Sequence, residues 1–111
     1  MTTFDDYQAA AAQTAIYPTE GLLGILYTGL GLSNEAGEVA GKVKKMLRDE
    51  GAVLTPQRRE QIAAEIGDVL WYCAMLAYEL GVPLGEIAES NIAKLADRAE
   101  RNVIGGDGDK R

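Results

Sequence analysis

No histidine occurs in the 111 residues, and cysteine occurs once, as Cys73. Without histidine there is no Ser-His triad, no imidazole general base and none of the Glu-x-x-His pairs that hold di-iron centres in helical bundles. A single thiol forms no internal disulfide, the usual Cys/His makings of a zinc site are missing, and a reducing, cytoplasmic setting is expected. Basic side chains are the minority, 11 Lys and Arg against 17 Asp and Glu, for a formal net charge of −6. With no basic run to offset that balance, the chain lacks the electrostatic footprint of a nucleic-acid-duplex binder. Long hydrophobic runs are also absent. The longest apolar stretch, Leu22 to Leu32, is too short to span a bilayer, and the opening Met1-Thr2-Thr3-Phe4-Asp5-Asp6 has no positive n-region. Neither a membrane partner nor a signal peptide is expected.

What is present reads as one soluble globular domain, 47% hydrophobic and 25% charged. A chain of this size buries only about 60–70% of the surface its unfolded form exposes, so association into a homodimer or homotetramer is expected to supplement the core. Thr3 and Asp6 resemble a capping box, and the alanine-rich run after them predicts a first helix to about Ala15, interrupted by Pro18. Gly21 to Gly31 is apolar but holds four glycines, and is compatible with helix, turn or a close-packed crossing. From Leu32 to Arg48 the positions Leu32, Ala36, Val39, Val43, Met46 and Leu47 recur at the helical period, and Gly51 suits the stop. Thr55 and Pro56 open a third helix whose stripe, Ile62, Ile66, Val69, Cys73, Leu76 and Leu80, runs to Gly81. Pro83 opens a fourth, to roughly Arg101. No segment alternates like a strand, so the fold class is all-α, a bundle of about four helices over residues 1–104. Residues 105–111 have too little apolar content to pack and are expected to form a mobile tail.

The most informative feature is an internal echo. Leu32-Ser33-Asn34-Glu35-Ala36-Gly37-Glu38-Val39 is matched thirty positions on by Ile62-Ala63-Ala64-Glu65-Ile66-Gly67-Asp68-Val69. At about 100° per residue, Glu35 and Glu38 share one helix face and Glu65 and Asp68 another, each pair bordering its apolar stripe. Gly37 and Gly67 cost roughly 1 kcal/mol each inside a helix, which suggests a close approach there. Two such helices side by side would converge four carboxylates, and like-charge repulsion would raise their pKa values unless a cation sat among them. Oxygen-only donors outside a calcium loop select Mg²⁺ or Mn²⁺. Carboxylate-held Mg²⁺ suits hydrolysis of a phosphoanhydride, because it polarises the phosphoryl group and neutralises the leaving group. Lys42 and Lys45 continue the acidic stripe one and two turns past Glu38, where they could meet phosphate oxygens. Asn91, Lys94 and Arg98 form a polar face on the fourth helix.

These residues resemble the MazG-like nucleotide pyrophosphohydrolases of the all-α NTP pyrophosphatase superfamily. The family signature, Glu-Glu-x-x-Glu, a spacer, then Glu-x-x-Asp, reads here Asn34-Glu35-Ala36-Gly37-Glu38, 26 residues, then Glu65-Ile66-Gly67-Asp68. The likeness runs from about Leu30 to Arg98. It implies hydrolysis of a nucleoside triphosphate between the α and β phosphorus, releasing a monophosphate and pyrophosphate, with Glu35, Glu38, Glu65 and Asp68 as metal ligands and catalytic acids. It also implies that Tyr72 and Asn91 contact the nucleotide, with Lys94 near its phosphates. Asn34 departs from the family pattern, and an amide is a poorer metal ligand than a carboxylate.

Simpler readings stand beside these. An isolated acidic pair on a helix is usually solvated surface, and Lys42, Lys44 and Lys45 could balance Glu35 and Glu38 by i,i+4 pairing. Trp71 and Tyr72 are more often packing residues than base stackers, although a nucleobase pocket needs one or two aromatics and Tyr72, unlike Trp71, lies on the acid stripe; Cys73 is expected to be inert core. Two rival functions follow: a helical nucleotide-binding or interaction protein without catalysis, and a hydrolase of another phosphoanhydride such as dUDP, dUTP or a phosphoribosyl nucleotide.

Overall fold

The structure, a computed structural model, describes residues 1–111. Thr3 Oγ1 accepts the Asp6 N–H and the Asp6 carboxylate accepts the Thr3 N–H, so the predicted capping box opens α1 (Phe4–Ala12). The helix stops three residues short of Ala15. Its last N–H groups bond three residues back, to Ala10, Ala11 and Ala12, and the Thr14 hydroxyl donates to the Ala11 carbonyl, which tightens and ends the turn ahead of Pro18.

From Leu23 onward the glycine-rich segment proves to be helix, continuous with the next one as α2 (Leu23–Asp49), while Gly21, at φ +56°, turns the chain ahead of it. Two of the α2 glycines are overlain by side chains of the neighbouring helix, α3 (Pro56–Glu79), by the rigid Tyr72 ring at Gly31 and by the flexible Glu79 carboxylate at Gly24. A Cβ on Gly24 would fall 1.6 Å from Glu79 Oε1, and one on Gly31 would fall 2.1 Å from Tyr72 Cε1. Gly37 and Gly67, the positions expected to mark a close approach, have open space beside them instead. The close approach lies nearer the start of α2, where side chains at the end of α3 lean onto its backbone.

Thr55 accepts the Arg58 N–H with Pro56 in the first turn, as predicted, and Arg58 forms a two-bond ion pair with Glu50 that pins the α2–α3 turn. Gly81, at φ +73°, ends α3 by letting the Val82 N–H reach the Ala77 carbonyl and its own N–H reach that of Tyr78. Pro83 then leads into α4 (Leu84–Glu100). The architecture is therefore all-α, four helices and no strand.

No side chain of α4 or its N-cap satisfies the helix's first N–H groups. They are capped from α1. Gln8 Oε1 accepts the Leu84 N–H at 3.1 Å and Asp5 Oδ1 the Gly85 N–H at 2.8 Å. The buried Gln8 amide also donates to the carbonyls of Ala74 and Val82, both at 3.1 Å. Around this polar bolt sit the buried Ala11, Ala74, Met75, Ala77 and Leu84, where α1, the end of α3 and the start of α4 meet. The predicted α3 stripe is only partly inside. Cys73 is half-buried, but Ile66 and Leu80 are 55% and 56% exposed, because α1 is too short to cover the first half of α3 and Leu80 sits at its cap. Beyond α4, Asp109 folds back to bond Lys94 at 2.7 Å and Arg98 at 3.2 Å. No helix is long and apolar enough to cross a membrane.

Candidate active site

Glu35 on α2 and Glu65 and Asp68 on α3 converge across the helix pair, with one carboxylate oxygen of each lying within 4.8 Å of the other two. The echoed sequence accounts for the meeting: each helix places its acids on the flank of the face it presents to the other. The Glu35 carboxyl is pushed above its ordinary value by burial first, then by the negative charges of Asp68, Glu65 and Glu38. Such crowding is relieved by a cation. Ligand oxygens around one Mg²⁺ lie at most about 4.2 Å apart, so a small side-chain adjustment would bring these three onto a common ion. The all-oxygen donor set fits a hard divalent metal.

Glu38 is not among the three converging acids. It lies exposed one turn further along α2, near enough for its charge to act on Glu35. Lys42 Nζ stands 4.0 Å from Glu65 Oε1, so this lysine borders the acidic cluster. Lys45 is exposed and sits near Asp49, further along the helix. Asn91 and Lys94 line a different groove, of about 300 Å³, with Glu86, Ile87 and Ser90. They stand apart because α4 packs on α1 and α3 and not on α2. Lys94 is also engaged by Asp109.

Next to the acids lies a cleft of about 340 Å³ lined by Thr14, Glu35, Asp68, Trp71 and Tyr72. Its aromatic side belongs to a larger cluster. Tyr17 stacks on Tyr27 at 5.0 Å, while Trp71 stands nearly perpendicular to both Tyr72, at 5.0 Å, and Tyr17, at 6.4 Å. The Tyr72 ring lies over the bare backbone of Gly31. Trp71 thus lines the cleft as well as packing, and Thr14 reaches the same cleft from the turn after α1. Trp71 is three positions beyond Asp68, a spacing that already sets the two on one helix face. Cys73 is held protonated by burial, in keeping with an inert thiol.

Residues 25–103 match the model of the MazG nucleotide pyrophosphohydrolase domain. The chain belongs to that family. It is also 49% identical to the Gene 37 protein of Mycobacterium phage L5, in an alignment spanning 96% of this chain and 97% of the phage protein. No solved structure matches the chain.

Proposed function

We propose that this protein is a Mg²⁺-dependent nucleoside triphosphate pyrophosphohydrolase, cytoplasmic and active as a homodimer or homotetramer. The observation that carries the reading is the convergence of Glu35, Glu65 and Asp68 beside an aromatic cleft in a MazG-family chain. In this reading those three carboxylates, with Glu38 one turn away, hold the metal, and Mn²⁺ can substitute. When bound, Mg²⁺ polarises the phosphoryl oxygens and neutralises charge on the departing pyrophosphate.

The chain's own groups do the rest. The carboxylate cluster orients a water for in-line attack on the α phosphorus and takes its proton, and the P–O bond to the β phosphate breaks to release pyrophosphate. Lys42, bordering the cluster, meets the phosphates, with Lys45 further along the helix. Tyr72 contacts the nucleoside. Asn91 and Lys94 remain assigned to the nucleotide on the family likeness, from a groove on α4 that is separate from the cleft in the single chain.

The test is product identity. With the eight common NTPs and dNTPs and Mg²⁺, anion-exchange analysis should find a nucleoside monophosphate and pyrophosphate in equal amounts. A nucleoside diphosphate plus orthophosphate would contradict the assignment. Asn34 favours one second reading, a nucleotide-binding protein without turnover, which binding with no product from any nucleotide would support.

A further inference from the structure

Trp71 is restrained from three sides. Its indole N–H donates to Thr14 Oγ1 at 3.0 Å, and the rings of Tyr17 and Tyr72 stand at 81° and 79° to its plane. Thr14 is fixed in turn, because its hydroxyl hydrogen goes to the Ala11 carbonyl and leaves the oxygen free to accept from the indole. Such anchoring is usual for a packed indole, but here the anchored residue also lines a cleft with two of the clustered acids, Glu35 and Asp68. The volume of that cleft falls within the range of small-molecule sites, roughly 300–1,000 Å³. A flat heterocycle entering beside the acids would meet an aromatic surface already held in one orientation, and stacking on such a surface binds bases of any identity.

We propose that Trp71 is the surface on which the base of the substrate nucleotide stacks, and that Thr14 is the positioning residue that sets the plane of its ring. The inference rests on the pyrophosphohydrolase reading and adds the site of base binding to it.

Trp71 is the single tryptophan of the chain, so its emission reports on the cleft directly. The full-length protein, with Mg²⁺, would be titrated with α,β-methylene ATP and α,β-methylene UTP, which cannot release pyrophosphate, and with inorganic tripolyphosphate, which carries the phosphates and no base. Both nucleotide analogues should quench the emission saturably, and tripolyphosphate should leave it unchanged. Thr14→Val cannot accept the indole hydrogen bond. It should lose most of the quench and raise KM by about tenfold with little change in kcat, the signature of weakened base stacking. Thr14→Ser should restore both.

Pyrophosphate release with no change in emission on binding either analogue would overturn the inference and leave the hydrolase reading standing. An unaltered KM in a folded Thr14→Val protein would overturn the role of Thr14. Quenching without release from any nucleotide would support the base site and remove the hydrolase reading. Absence of both would remove the two together.

Discussion

Glu35 carries the clearest sign of function at the scale of a single residue, because its carboxyl is raised by burial and by three neighbouring acids, while Lys42 at the edge of the cluster stands against Glu65. Its substitution therefore has opposite expected effects with and without metal. In chelator, Glu35→Gln should raise Tm by roughly 1–3 °C, the scale of one relieved like-charge contact. With millimolar Mn²⁺ the wild-type protein should gain stability through binding to the folded state, and the variant should gain much less. A fall in Tm in chelator would contradict the crowding account. Three of the four acids expected to converge do so, because a duplicated pattern at helical spacing carries its own geometry, while Glu38 stays exposed one turn away. Trp71 and Thr14 were less legible in the sequence. The i,i+3 step from Asp68 to Trp71 hints at a shared face, but the contact with Thr14 spans 57 positions, and no local pattern encodes it.

Helices were readable where their signals are local. The Thr3 box, Thr55-Pro56 and Gly81 all act within a few residues, and each falls where the sequence sets it. The start of α2 was not readable, because four glycines look like a broken helix until Glu79 and Tyr72 of α3 are seen lying on Gly24 and Gly31. The same limit applies to α4, whose N-terminus is capped by Asp5 and Gln8, some eighty positions earlier. Gln8 is the stronger of these two ties. Gln8→Ala would strand the Leu84 N–H and remove two further bonds inside the core, at a cost of about 2–3 kcal/mol. A thermal melt should show a loss of roughly 10 °C or more. A shift within 2 °C or so, the size of an ordinary surface substitution, would show that α1 does not fasten α3 to α4 in this way.

At the scale of the whole chain, the fold is open for its length. The radius of gyration is 16.8 Å, against about 13 Å for a compact domain of this size. Only nine residues are buried, while Leu22, Leu26 and Leu30 are 68%, 56% and 73% exposed along one side of α2. A surface of that kind calls for a covering partner, and a second copy is the occupant we propose. Sedimentation equilibrium should return two or four chain masses, and Leu30→Glu should shift the protein towards one; a wild-type monomer would contradict this. Helical periodicity and cap signals made the bundle legible, whereas the core was not, because a pattern within one chain does not show which apolar faces stay uncovered. The function proposed for the assembly depends on the acidic cluster, and the most direct measurement is Mg²⁺-dependent pyrophosphate release by wild type and by Asp68→Ala, each shown by circular dichroism to be helical. The account predicts release by the wild type that chelator stops, and a loss on the order of 10²–10³-fold or more in the variant. Release that survives chelator, or an Asp68→Ala protein with wild-type turnover, would contradict it.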